Sequence, residues 1–232
     1  MSSLSTLLVL ADGRLPAGGH AHSGGVEAAV AAGRVHDLPS LRSFLVGRTA
    51  TAGAVAAAFA AAACHAVAAN GDPEPARPVA ADTARIASRP RQPGAIGSVG
   101  RLSALDDGID ARTASPALRA ASRAQGRALL RAAARIWPGT PATEGQPHHP
   151  IAVGITAAGA GLGPREAALV AVYGGLTGAA SAAVRLLGLD PYAVHALIAD
   201  LAPDCDRSAA TAPGRTAYCR PAGSCCLPTP ST

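Results

Sequence analysis

Residues 164–187 read Pro-Arg-Glu-Ala-Ala-Leu-Val-Ala-Val-Tyr-Gly-Gly-Leu-Thr-Gly-Ala-Ala-Ser-Ala-Ala-Val-Arg-Leu-Leu, and this stretch decides the fold class. Proline opens it, where a helix needs no N–H donor, and Gly188 follows its end. Large apolar side chains recur at the three- to four-residue spacing of one helix face, namely Leu169, Val172, Tyr173, Leu176, Val184 and Leu187. The stretch therefore predicts a long helix with one buried face.

The same start and stop signals recur outward from this helix. Ser115 and Pro116 predict a helix start, and Pro138-Gly139 a stop. Further helices are predicted over residues 39–69, 151–160 and 191–201. No stretch alternates with a period of two for long enough to predict a strand. The chain is therefore predicted to be all-α.

Two segments break the helical pattern. Residues 71–100, rich in proline and scattered arginine, predict a flexible insertion, and residues 203–232, rich in Pro, Ser, Thr and Cys, predict a disordered tail. Between and before them, residues 1–202 predict a single compact helical domain.

Composition narrows the function classes. The chain has 232 residues with a net charge of +5, and all 20 of its basic residues are arginine. Arginine without lysine indicates a codon bias, so the positive charge alone does not predict nucleic-acid binding. No secretory signal is visible and the five cysteines predict no disulfide framework, so a cytoplasmic location is expected.

The uncharged stretch 49–69 is long enough to span a bilayer. Because it is mostly alanine, it predicts a buried core helix; a membrane helix is the alternative. Gly174, Gly178 and Ala182 make a second small-residue pattern, which favours close packing inside the chain over a helix dimer in lipid.

The predicted helix from residue 116 carries a ladder of arginines at four-residue spacing, at positions 119, 123, 127, 131 and 135. Like charges at this spacing repel by roughly 0.2–0.5 kcal/mol per pair, and no acidic residue lies on the helix. The ladder is either solvated or paired with acidic groups elsewhere in the fold, or it meets a partner. The absence of interleaved aromatic residues argues against nucleic acid.

Few residues suggest chemistry. The pairs His20/His22 and His148/His149 raise a metal hypothesis, but a metal site needs three or four converging ligands. A phosphate-binding loop would need a lysine, and Cys205, Cys219, Cys225 and Cys226 form no Cys-x-x-Cys pair. We predict no catalytic, cofactor-binding or metal site, with a small metal hydrolase using the His pairs as one alternative and a small-residue helical membrane protein as the other.

Residues 10–27, Leu-Ala-Asp-Gly-Arg-Leu-Pro-Ala-Gly-Gly-His-Ala-His-Ser-Gly-Gly-Val-Glu, form a turn broken by glycine and proline that leads into a helix. The segment resembles the opening of the UreF family of urease accessory proteins, roughly Asp-x-x-Leu-Pro-x-Gly-x-x-x-His-Ser-x-Gly-x-Glu. The matching positions are Asp12, Leu15, Pro16, Gly18, His22, Ser23, Gly25 and Glu27.

Two further segments resemble the same family. Residues 111–129 are similar to a family segment with a central Ser, Gly and Arg, which here are Ser122, Gly126 and Arg127. The stretch from Tyr173 to Leu186 is similar to a third block with an Ala-Ala-Val-Arg-Leu core, which contains Arg185.

The resemblance implies an all-helical scaffold without chemistry of its own. Members of this family are expected to form homodimers, to bind UreD (also called UreH) and to recruit the GTPase UreG. The resemblance further implies that the assembly delivers nickel to apo-urease and that the UreF part gates or couples, and so modulates, GTP hydrolysis. The resemblance also implies a C-terminal segment that contacts UreD, from which the tail 203–232 of this chain diverges.

Overall fold

The computed structural model describes residues 4–17, 22–69, 98–143 and 145–213. These residues form helices joined by turns and contain no β-strand, which confirms the predicted all-α class. The helices are α1 (Leu4–Ala11), α2 (Val26–Ala31), α3 (Leu38–Arg48), α4 (Ala54–Ala68), α5 (Ser98–Arg112), α6 (Pro116–Ile136), α7 (His149–Gly159), α8 (Pro164–Leu187) and α9 (Pro191–Thr211). The insertion predicted for residues 71–100 lies outside the described residues except for its last three, which begin α5.

Side-chain caps set several helix starts where the sequence predicts them. Asp37 accepts a hydrogen bond from the backbone N–H of Ser40 at 2.9 Å, and Ser115 Oγ accepts one from Leu118 at 3.4 Å. Asp190 accepts from the first N–H groups of α9. A proline follows within the first two positions of each helix, where its missing N–H costs nothing.

Helix α4 lies at the centre of the molecule. It packs against α5, α7 and α8, and its side chains belong to all three clusters of the hydrophobic core. Most of its buried residues are alanine, so neighbouring helices approach its backbone closely. The closest approach is at Gly154 of α7, where a Cβ would lie 2.3 Å from the carbonyl oxygen of Ala60 and 2.8 Å from the nitrogen of Cys64.

A π-helical turn, Thr49–Gly53, joins α3 to α4, so residues 38–68 form one continuous helical rod. Within the described residues, Leu38–Ala68 and Pro164–Leu187 are long and apolar enough to cross a membrane by length and composition alone. About half of the most apolar part of each is buried inside the protein. Core helices pass the same test, and the stretch 49–69 occupies the core as predicted.

The last helix is longer than the sequence predicts. Helix α9 continues through Pro203 to Thr211, although the sequence predicts its end near Leu201. The buried residues Leu201, Cys205 and Ala209 continue one helix face, and Pro203 itself is exposed. Their burial offsets the roughly 3 kcal/mol that an interior proline costs. Cys205 is therefore a core residue, whose thiol pKa burial raises to about 11, and residues 214–232 of the predicted tail lie outside the described residues.

The small-residue pattern on α8 is only partly packed. Ala182 is buried in the core, but a Cβ added at Gly174 or Gly178 would meet nothing within 4 Å. The prediction of tight packing inside the chain is therefore wrong at these two glycines. They lie on an open part of the α8 surface.

Two glycine-to-alanine substitutions are expected to change stability in opposite directions. Gly154→Ala forces a methyl group into the α4 backbone and should lower the free energy of unfolding by about 2–3 kcal/mol. Gly178→Ala enters open space in a helix interior and should raise it by about 0.5–1 kcal/mol. Urea unfolding followed by circular dichroism measures both; equal effects of the two variants would contradict the α4–α7 contact.

Candidate interaction site

The three segments singled out in the sequence are called here the first motif (residues 10–27), the second motif (residues 111–129) and the third motif (residues 173–186). The second motif holds the segment that leads into α7. At Gly126 of α6, a Cβ would lie 2.1 Å from the carbonyl oxygen of Pro147, so only glycine allows the segment to cross the helix here. One turn earlier, Ser122 Oγ accepts a hydrogen bond from the N–H of His149 at 3.1 Å. The motif residues therefore fix where α7 begins.

A polar network surrounds this crossing and joins α5, α6 and α7. Arg123 donates to Asp106 Oδ2 and to Asp110 Oδ2, both at 2.6 Å, and to the carbonyl oxygen of Gln146 at 2.7 Å. The side chain of His148 is fully buried, and its Nε2 lies 2.9 Å from Asp110 Oδ1. Its backbone N–H donates to Asp106 Oδ1 at 2.7 Å. We call these residues, with Ser122 and Gly126, the α5–α7 clamp.

The charges of the clamp stabilise one another. Burial raises the pKa of the Asp110 carboxyl, but hydrogen bonds from His148 and Arg123 outweigh burial and hold that pKa below its usual value. Burial likewise lowers the pKa of Arg123, and its bonds to the two aspartates reverse the shift. Each charged group of the clamp thus has its partner inside the fold.

The arginine ladder divides into two parts. Arg119 Nε lies 3.7 Å from Asp110 Oδ1, Arg123 belongs to the clamp, and Arg127 donates to Gln146 Oε1. Arg131 and Arg135 are exposed. The first half of the ladder is therefore paired inside the fold, and the second half is a basic surface.

Residues 12–17 of the first motif form a turn after α1. The Asp12 side chain accepts from the N–H of Arg14 at 2.9 Å, and hydrogen bonds to Arg14 lower the pKa of this carboxyl. Pro16 follows on the surface. Gly18 and His20 lie outside the described residues.

The end of this motif caps α2. Gly25 precedes the helix with φ at +97°, a conformation that an L side chain rarely adopts. Ser23 Oγ accepts from the N–H of Glu27 at 3.4 Å, and the Glu27 side chain is exposed. Gly25 and Ser23 shape the turn, and Glu27 is available to a partner.

His22 of the first motif acts electrostatically on His149, whose N–H is bonded to Ser122 of the second motif. Burial lowers the pKa of His149 to about 4, and the nearby His22 lowers it further in the same direction. Of the two predicted His pairs, His148 is committed to the clamp and His149 adjoins His22. In the part of the chain that the structure describes, no three His, Cys, Asp or Glu side chains are placed to hold a metal ion.

The third motif lies on α8, which packs against both helices that flank the first motif. Tyr173 is half-buried, and its carbonyl oxygen accepts from Thr177 Oγ1 at 3.0 Å. Arg185 is on the exposed side of the same helix. The three motifs thus build helix contacts and leave Asp12, Pro16, Glu27 and Arg185 at the surface.

Asp106, Asp110 and Gln146 complete the clamp, and none of them was expected as a site residue. The two aspartates stand four positions apart on α5, the same spacing as the arginines that they meet on α6. Acidic residues four positions apart, shortly before arginines with the same spacing on the next helix, are the signal that would have found them.

Comparison with known proteins places these features in a family. The family model UreF matches residues 35–202. A urease accessory protein UreF from Mycolicibacterium vanbaalenii is 46% identical over 217 residues, which cover 91% of this chain and 86% of that protein. Proteins of the same name are 47% identical in Mycobacterium sp. (strain JLS), with the same coverage, and 41% identical in Mycobacterium tuberculosis, covering 90% of this chain and 85% of that protein.

Neutralising one arginine of the ladder should lower the free energy of unfolding only if that arginine belongs to the clamp. Arg123→Gln removes the cation between two aspartates and should lower the free energy of unfolding by about 2 kcal/mol. Arg135→Gln, which changes an exposed arginine further along the same ladder, should change it by less than about 0.5 kcal/mol. Urea unfolding at neutral pH compares the two; an equal loss would show that Arg123 is not the centre of the clamp.

His149 should make the fold sensitive to acid. Its pKa is about 4 in the folded chain and near 6.5 when unfolded, so the unfolded chain binds more protons between these pH values. The stability contributed by neutral His149, at most about 3 kcal/mol, is therefore lost as the pH falls from 6.5 to 4.

Urea unfolding across this pH range should show a steep loss in the wild type and a shallower one in His149→Gln. His65→Gln, which changes an exposed histidine of α4, should keep the wild-type slope. Parallel curves of stability against pH for all three proteins would refute the attribution of the acid sensitivity to His149.

Proposed function

Because this chain belongs to the UreF family of urease accessory proteins, we propose that it is a scaffold in urease maturation that assembles with UreD and the GTPase UreG. In this assembly it modulates GTP hydrolysis by UreG and helps to deliver nickel to apo-urease. The nickel ion is cargo of the assembly and is not a resident cofactor of this chain.

One structural observation carries the scaffold role. The motif residues Ser122, Gly126 and Gly25 are used for helix contacts and backbone geometry, whereas Glu27 and Asp12 are displayed outside. A rigid helical body with displayed polar groups is suited to binding proteins. The chain also has no lysine with which to build a phosphate-binding loop.

Two further parts of the proposal follow from the family. The scaffold acts in the cytoplasm, and it forms a homodimer within the larger assembly. The open glycines of α8 and the exposed Arg131 and Arg135 offer surface for contacts within the assembly.

Co-expression with UreD and UreG from the same organism tests the proposal. We expect a stable complex in size-exclusion chromatography and a changed rate of GTP hydrolysis by UreG when the complex is added. The pure chain alone should hydrolyse no GTP.

Myoglobin, a helical protein of similar size, serves as the control for non-specific effects on UreG. Failure of the pure chain to bind either UreD or UreG would refute the scaffold role. GTP hydrolysis by the chain without UreG would refute the absence of its own chemistry.

A further inference from the structure

Arg48 is a largely buried cation for which the described residues supply no acidic partner. It ends α3, immediately before the π-helical turn. Its Nη1 donates to the carbonyl oxygen of Gly24, while its Nε is buried without a hydrogen-bond partner. Burial lowers the pKa of the guanidinium, and no carboxylate opposes that shift.

This arrangement is costly for the isolated fold. Moving a charged group out of water costs several kcal/mol unless an opposite charge and hydrogen bonds compensate. Arg123, on α6, obtains both from Asp106 and Asp110, whereas among the described residues Arg48 obtains only the carbonyl oxygen of Gly24. The guanidinium lies close against Gly24, which has φ at +61° and where a Cβ would lie 2.8 Å from Nη2.

Arg48 also lines a small cavity. It has a volume of about 40 Å³ and lies between the π-helical turn and α8, with Arg48, Thr49, Gly53 and Gly175 among its lining residues. A water molecule occupies about 30 Å³ in the liquid, so the cavity accommodates one group of carboxylate size. A Cβ at Gly175 would meet nothing within 4 Å, so the approach along α8 is open.

We propose that Arg48 anchors an Asp or Glu side chain of a partner protein, which enters this cavity and forms a charge-assisted hydrogen bond with the guanidinium. The occupant is a carboxylate because it supplies the charge and the acceptor that Arg48 lacks. The open glycines 174, 175 and 178 let the backbone of the partner approach α8 closely while its side chain is inserted.

Charge complementarity favours a different protein over a second copy of this chain. The chain carries a net charge of +5, so it attracts an acidic surface of a different protein, whereas a second copy brings the same excess of positive charge. The inference rests on the proposed function in one respect, because UreD and UreG are the partners in which the carboxylate is sought.

The test compares three variants with the wild type. Arg48→Met removes the charge, Arg48→Lys keeps it, and Arg42→Met removes an exposed charge from the same helix as a matched control. Isothermal titration with UreD and with UreG should show at least tenfold weaker binding to one of them for R48M. R48K should bind that partner more tightly than R48M does, and R42M should bind like the wild type.

Stability separates this role from a structural one. The urea midpoint of isolated R48M should not fall, because the substitution removes an unpaired buried charge. Wild-type binding by R48M, equally weak binding by R48K and R48M, or a loss of self-association alone would each overturn the inference.

A second measurement needs no partner protein. Sodium acetate supplies a free carboxylate and should raise the urea midpoint of the wild type, but not of R48M, relative to sodium chloride at equal ionic strength. Absence of this difference would overturn the inference. If the wild type binds neither UreD nor UreG, the proposed function fails, and the acetate measurement still decides the role of Arg48.

Discussion

The crossing of α7 over α4 is the contact on which the rest of the structure depends. A core with so few aromatic side chains gains stability only where backbones approach closely and many small contacts accumulate. Gly154 provides that approach in the middle of α7, and Gly126 provides a second one before its first residue. These two glycines position α7 between α4 and α6, and the clusters of the core form on either side of it.

The α5–α7 clamp follows from this placement. Once the segment ahead of α7 crosses α6, its N–H groups are withdrawn from water and need acceptors, which Asp106 and Ser122 supply. The aspartates then require a cation, and Arg123 provides it. Helix α5 is thereby held by polar bonds as well as by the apolar contacts of Leu105 and Ile109.

The sequence predicts those features that depend on neighbouring residues. Prolines mark the starts of α6, α8 and α9, side-chain caps add to the signal at α6 and α9, and the positive φ of Gly25 fits its place in a turn. Features that depend on residues distant in the chain cannot be predicted from the local sequence. Helix α9 passes Pro203 because burial of Cys205 and Ala209 against other helices outweighs the local cost. The role of Asp110 depends on Arg123 and His148, which the fold places beside it. The role of Arg48 depends on the acidic partner that the described residues do not place beside it.

The basic residues of this chain therefore act at two depths, with different physical consequences. Arg131 and Arg135 are exposed, so their attraction for an acidic partner acts at long range and weakens as salt screens it. Arg48 is largely withdrawn from solvent, so a carboxylate beside it is screened far less. The exposed arginines can speed the encounter with a partner, whereas Arg48 holds one whose side chain fits its cavity. Arginine thus serves both to attract a partner from the surface and to select it from a more buried position. The packing of α3 and α6 decides which arginines are exposed and which are buried.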